Sequence, residues 1–507
     1  MSLKKNVLAN YVGQGTQALM GIVFVPVYIR YIGIESYGLI GMFALVQSWL
    51  SLIDMGMKPA LGREMARFSG GAHDAQSIRN LLRSIEVVGI SVAGTIALGI
   101  WAASGWLASN WVTAKTLPVD VIAQAFAVMG AVTSLRFVED IYASSIVGLQ
   151  RQVLQNTVIS VMAVLRGLGA IGILAWVSPT IKAFFIWQGL MSVLTVGLFA
   201  SVVYGALPPS PVGAAFSWAE LVGIRRFAGG IATRTVLDLL LAQIDKILLS
   251  RLLTLESFAH YALAGVVATG LYTLMTPITV AFYPSFVQLL ASSNETALRA
   301  RYHQCAQLVT VLSGSAGLVL IVFGERVLRL WTGDPDLAHK VAPLLATLVL
   351  GTLLNTLMIV PNYLQIASGW TSLIIKVNVV AVCLLVPAIL LIVPVYGALG
   401  AARIWVLLNV GYLLFEIPLM HRRLLPESKW RWYRDDVALP LLSAATAAFL
   451  LRWVVPVGLT KPVEFCVLSG ASACVLGAAA LTAPQVRDQV FRHLPGNRSL
   501  APGSVQS

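Results

Sequence analysis

A chain of 507 residues with 58% apolar side chains, only 11% charged ones and a mean hydropathy of +0.81 is not a soluble protein, where roughly a quarter of residues carry charge. Its +13 net charge is spread over short loops rather than gathered in a domain, which argues against a nucleic-acid-binding protein. Lipid leaves backbone amides no partner but each other, and the long apolar runs lack the ten-residue alternation of barrel strands, so the expectation is an all-α integral membrane protein.

At about 20 residues per span, fourteen helices are predicted near 8–29, 37–57, 84–104, 119–139, 155–176, 183–203, 228–250, 260–281, 303–323, 341–361, 372–393, 398–419, 437–457 and 463–483. Met1-Ser2-Leu3-Lys4-Lys5 runs straight into the first, which reads as no cleavable signal. Alternate loops starting from the N-terminus hold most of the Lys and Arg, among them Lys58, Arg63, Arg83, Arg151, Arg225, Arg299, Arg422 and Arg434. The other side holds few, including Arg30, Lys115, Arg251, Arg326 and Arg329. The bias predicts cytoplasmic termini.

An internal repeat is visible. Arg30-Tyr31-Ile32-Gly33-Ile34-Glu35-Ser36-Tyr37 recurs as Arg251-Leu252-Leu253-Thr254-Leu255-Glu256-Ser257-Phe258, and the same offset sets Gln17 over Asp238. Six helices precede the second copy, so the halves are parallel repeats, as in transporters built from two like lobes. The Pro-rich break at Leu207-Pro208-Pro209 gives an N-lobe over 1–207 and a C-lobe over 208–425, with a C-terminal helix pair and tail over 426–507. Ser217-Trp218-Ala219-Glu220 has capping-box spacing and is expected to open a short interfacial helix linking the lobes. The repeated Arg-x-x-x-x-Glu-Ser segments read as structural turns.

Charged and amide side chains at membrane depth are the candidates for function. Helix seven carries Arg234, Asp238, Asp245 and Lys246, three of them on one stripe. Helix one carries Asn10, Gln14 and Gln17 at helical spacing. Arg166 has no acidic neighbour in sequence, whereas Arg136 precedes Glu139 and Asp140 and is expected to pair with them locally. Asp54, Lys58 and Arg63 mark the cytoplasmic mouth at the end of helix two. A cavity of arginines and amides suits an anionic glycolipid headgroup: Arg234 and Arg166 for phosphate, Asn10, Gln14 and Gln17 for sugar hydroxyls, with Arg136 as a further cavity residue. Asp238, Asp245 and Lys246 would balance charge or couple H⁺ or Na⁺. Cys305, Cys383, Cys466 and Cys474 have no metal-ligand spacing and read as buried hydrophobes. Trp106, Trp111, Trp430 and Trp432 read as interfacial anchors. Neither a Walker motif nor a nucleophile–base pair appears, and the external loops are short, so an enzyme is not expected.

Several short motifs carry a resemblance: Tyr31-Ile32-Gly33-Ile34-Glu35-Ser36-Tyr37-Gly38, Ile53-Asp54-Met55-Gly56, Gly148-Leu149-Gln150-Arg151 with Asn156, Ile244-Asp245-Lys246 through Arg251, and Leu330-Trp331-Thr332-Gly333. In order and placement they resemble the Wzx polysaccharide (O-antigen-type) flippases, of the exporter superfamily that also holds the MurJ lipid II flippases and the MATE drug antiporters. The resemblance implies two six-helix lobes around a central cavity that alternates access. It also implies export of undecaprenyl-pyrophosphate-linked oligosaccharide across a bacterial inner membrane, with membrane lipids, a polysaccharide polymerase and chain-length proteins as partners and no cofactor. A cation-coupled MATE antiporter and a MurJ-like lipid II flippase are the alternatives. The C-terminal helix pair departs from the commoner twelve-helix pattern.

Overall fold

The computed structural model describes residues 13, 15–17, 19–53, 56–71, 73–209, 213–456 and 458–493, with the side chains at 50–53, 226, 227, 229–242 and 489–493 not described. It is all-helical among these residues, apart from one isolated bridge between Thr113 and Thr254. The chain forms two compact units, Met1–Ala259 and His260–Ser507.

In the first unit, α1 (Val25–Ile53) turns sharply at Gly33, whose φ of 78° and ψ of 164° only glycine adopts readily. A short amphipathic helix, α2 (Met57–Ser69), follows, and then α3 (Ala75–Trp106), whose first turn is closed by Asp74 accepting from the Ser77 N–H at 2.6 Å. Next come α4 (Val119–Gly148), α5 (Gln152–Gly172), α6 (Ile181–Ala206) and α7 (Trp218–Leu252). Single π turns over Leu107–Trp111 and Ile173–Val177 end α3 and α5. Helix α4 is central, packed on α3, α6 and α2 through Phe137, Ile141 and Ile146 against Leu61, Met65, Ile78, Leu82 and Phe199. Between helices in lipid the gain comes from close packing rather than from water exclusion. Ser217 does cap a helix, accepting from the Glu220 N–H, but that helix is α7 itself and not a separate interfacial linker. Because α7 packs on α1, α2 and α3, it belongs to the first unit, and the units divide later than the Pro-rich break.

The second unit takes up α8 (Leu255–Ala291) from His260 onward, then α9 (Glu295–Thr332), α10 (Pro335–Leu357), α11 (Ile359–Ala367), α12 (Ser372–Gly411) and α13 (Ile417–Leu424). It closes with α14 (Leu439–Val454), α15 (Lys461–Thr482) and α16 (Pro484–His493). Asn294 and Asp334 cap α9 and α10, accepting from Ala297 and Leu337 N–H at 3.0 Å each. The last helices dock on α9 in two ways. Small residues Ala444, Ala448 and Ala479 pack with Val311, Val319 and Phe323. Beside them the buried Asp436 carboxylate bonds His303 and accepts from Gln307 Nε2 at 2.8 Å, while Gln307 Oε1 accepts from the Gln485 N–H at 2.8 Å. Trp432, expected at the interface, is instead buried in this core beside Tyr302, Met420 and Ile417. The π turns of Trp432–Ala438 carry it inward with Asp436. Trp106 and Trp430 are exposed as expected.

Eleven segments among the described residues are long and apolar enough to cross a membrane, against fourteen expected. Expected helix one is described only in part, at residues 13, 15–17 and 19–29, and the first of these spans starts at Val25. Expected helix seven lies within α7, which carries eight charged residues, from Glu220 to Arg251, and is less apolar. Expected helices eleven and twelve are one helical run bent at Gly397, with φ 59° and ψ −149°. Of the cysteines only Cys305 is buried; Cys383, Cys466 and Cys474 are exposed on the outside of apolar spans, where a thiol behaves as a small apolar group among lipid chains.

Candidate functional site

Two helical stripes converge in the first unit. On α4, Thr133, Arg136, Phe137, Asp140 and Ala143 recur at three- and four-residue intervals; on α5, Ile159, Met162, Ala163, Arg166 and Gly167 do the same. Together with Gln17, Tyr28, Gln47, Lys58 and Gln188 they line a cavity of about 560 Å³. Gly167 admits the buried ring of Phe24 from the segment before α1; a Cβ there would collide with the ring. The opposite edge of α5 is fixed by Trp187, whose indole Nε1 donates to the Arg166 carbonyl at 3.2 Å.

Arg166 Nη2 pairs with Glu139 Oε2 at 2.8 Å and also donates to Thr195 Oγ1 at 3.1 Å and Ser192 Oγ at 3.4 Å. Lys58 pairs with Asp140 at 3.1 Å and lies 4.4 Å over the Phe137 ring. Arg136 has no carboxylate partner among the described residues. It donates to two neutral amides, Gln47 Oε1 at 3.1 Å and Gln188 Oε1 at 3.2 Å, and sits 5.0 Å over the Phe43 ring. The Nε atoms of both arginines are buried without an acceptor. Among the described residues the cavity lining therefore holds three cations against two carboxylates, and the cation without a carboxylate is Arg136. A desolvated guanidinium held only by amides and unused N–H groups is costly, and an incoming anion relieves that cost.

The expectation that Arg136 pairs locally with Glu139 and Asp140 is not met. Helix α5 offers Glu139 the Arg166 guanidinium, Lys58 takes Asp140, and Arg136 extends to amides on α1 and α6. Four of the sequence candidates, Gln17, Lys58, Arg136 and Arg166, meet in this cavity. Arg63 does not: it pairs with the buried Glu64, alongside Arg67 and His73. Asp245 and Lys246 also lie outside the lining, Lys246 donating to Gln243 at 3.0 Å. Asn10, Gln14 and Asp54 lie outside the described residues, as do the side chains of Arg234 and Asp238. Sequence reasoning passed over Gln47 and Gln188, although an amide inside an apolar span is the signal that singled out Gln17. Among the described residues, no three His, Cys, Asp or Glu side chains converge as a metal site.

The family model for "polysaccharide biosynthesis protein" matches residues 3–290, and the MatE model matches 230–391. No curated protein sequence matches the chain. Among solved structures, the chain is similar to the lipid II flippase MurJ in an inward closed conformation, with a TM-score of 0.68 at 12% identity over 96% of this chain and 99% of that one. An inward-facing multidrug resistance MATE transporter gives 0.63 at 14% identity, covering 80% of this chain and 96% of the other. The Vibrio cholerae MATE transporter VcmN gives 0.52 at 16% identity, covering 85% and 100%. The family match spans more than half of the sequence, and the fold likeness runs through nearly all of it. The chain thus belongs to the polysaccharide biosynthesis protein family, as a multi-pass membrane protein with the architecture of flippases and exporters rather than of an enzyme.

Proposed function

We propose that the chain is a flippase that moves undecaprenyl-pyrophosphate-linked oligosaccharide, the repeat unit of an O-antigen or exopolysaccharide, between the leaflets of a bacterial inner membrane. Transport runs from the cytoplasmic to the periplasmic leaflet by alternating access, with both termini cytoplasmic, and delivers substrate to a polymerase and chain-length proteins. The observation that carries this reading is Arg136, a cation in a cavity between apolar spans that, among the described residues, is held by amides and has no carboxylate partner. A pyrophosphate accepts from several guanidinium N–H groups at once. Arg136 would bind it first. Arg166 would join by exchanging its bond to Glu139, and Gln17, Gln47 and Gln188 would turn toward sugar hydroxyls. Glu139 then serves as the counter-charge that returns to Arg166 when the anion leaves.

A MATE-type cation antiporter would use Glu139 and Asp140 for its ligand, but each already faces a cation. A MurJ-like lipid II flippase is the rival within the class, and complementation of a lethal flippase deletion separates it. The primary test is Arg136→Ala in a host that displays surface polysaccharide. Export should stop while the protein stays in the membrane at normal abundance; export at the unaltered level would refute the assignment.

A further inference from the structure

A second basic site lies in the other unit, at the far end of α9 from Arg299 and Arg301. Arg326 and Arg329, nearly one turn apart on α9, face Arg452 near the end of α14 across a cavity of about 360 Å³. Arg326 donates to the carbonyls of Pro456 at 3.0 Å and Val455 at 3.3 Å, just past the end of α14. Arg329 pairs at 2.7 Å with the buried Glu464 of α15. These bonds fix two guanidinium groups while leaving donors on each unused, since a guanidinium carries five N–H bonds. Arg452 is exposed and has no hydrogen-bond partner among the described residues. The one carboxylate in the lining, Glu325, is exposed and bonds His339 at 3.2 Å.

The surroundings show what reaches this pocket. Next to Arg452, Trp453 is 89% exposed and Val454 74%, with Leu450 and Phe449 exposed one turn earlier. An exposed tryptophan at the end of an apolar span is the usual mark of the headgroup region. Three arginines here also run against the scarcity of Lys and Arg on this side of the chain. Cations gathered beside exposed apolar side chains are complementary to a lipid that brings both an anion and acyl chains.

We propose that Arg326, Arg329 and Arg452 bind the phosphate of an anionic membrane lipid, whose chains lie over Phe449, Leu450 and Trp453. The bound lipid clamps α9 to the C-terminal helix pair, giving that pair a role independent of which substrate the first unit carries.

The test uses the full-length protein in nanodiscs of phosphatidylcholine with or without phosphatidylglycerol, reading the lipid retained after detergent exchange by native mass spectrometry. The unaltered protein should retain phosphatidylglycerol over phosphatidylcholine. Arg452→Gln should weaken that retention roughly five-fold, as expected for one cation at a lipid surface. Arg452→Lys should largely preserve it, and Arg434→Gln, at the other end of the same helical segment, should leave it unchanged. Equal retention by Arg452→Gln, or no preference between the two lipids, overturns the proposal. So does binding of inorganic phosphate that depends on Arg452 while phosphatidylglycerol is not retained, which would make this a site for soluble anions.

Discussion

Glu35 and Glu256, the two glutamates of the repeated segment, converge on one residue, Lys115. Glu35 accepts from its backbone N–H at 2.6 Å, and Glu256 pairs with its ammonium at 3.1 Å. Glu35 does more, accepting also from the N–H groups of Thr116 at 2.9 Å and Leu117 at 3.1 Å and from the Thr116 hydroxyl. A single buried carboxylate thus satisfies three successive amides ahead of α4, the helix that carries Arg136. Glu35→Ala should cost about 1.5–3 kcal/mol, because three successive amides and a hydroxyl lose a charged acceptor. Glu256→Ala removes only a partly exposed ion pair and should cost less than about 1 kcal/mol. Thermal unfolding of the purified variants in one detergent checks the contrast; equal losses would refute it.

Removing the counter-charge of Arg166 should separate binding from transport. In Glu139→Gln the 2.8 Å ion pair is gone and the cavity gains net positive charge. Affinity for lipid-linked oligosaccharide should rise, by roughly tenfold for a charged partner worth about 1.4 kcal/mol, while export falls because nothing competes the anion away. Parallel binding and export measurements read this directly, and a variant that loses both would contradict it.

The contact of Gly167 with Phe24 sets one wall of the cavity. Gly167→Ala should cost about 1–3 kcal/mol through overpacking and reduce export. Combined with Phe24→Ala, which removes the colliding ring, it should be less damaging than the sum of the two single changes. Strict additivity in unfolding midpoints would show that the two residues do not press on each other.

Asp436 ties the last helices to α9 through His303 and Gln307. Asp436→Ala should destabilise the protein by about 3–5 kcal/mol by leaving buried polar partners unanswered, whereas Asp436→Asn, which keeps an acceptor, should cost less. Protease sensitivity between α13 and α14 reports it: cleavage should increase most in the alanine variant.

Much of this was legible in the sequence, and the parts that were not have a common cause. Apolar runs place spans well: the expected helices at 119–139 and 155–176 lie within α4 and α5 with its terminal π turn. The capping spacing at Ser217 and the candidacy of Arg136, Arg166, Gln17 and Lys58 also follow from residue type and period. Helical periodicity, however, reports only neighbours on the same helix. It assigned Glu139 to Arg136, while the actual partner, Arg166, stands on α5, and the amides that hold Arg136 come from α1 and α6. Trp432 fails for a related reason. An amphipathic ring beside charged residues suits an interface equally well as a core, and only the π turns that carry it inward decide between them.

The most direct measurement is the affinity of purified protein for undecaprenyl-pyrophosphate-linked oligosaccharide, compared between the unaltered chain and Arg136→Gln. Loss of a charged hydrogen-bond donor is worth about 1.5–3 kcal/mol, so binding should weaken by at least roughly tenfold, with unfolding behaviour preserved. Equal affinity in the two proteins would contradict the account, because Arg136 would then have no part in holding the anion.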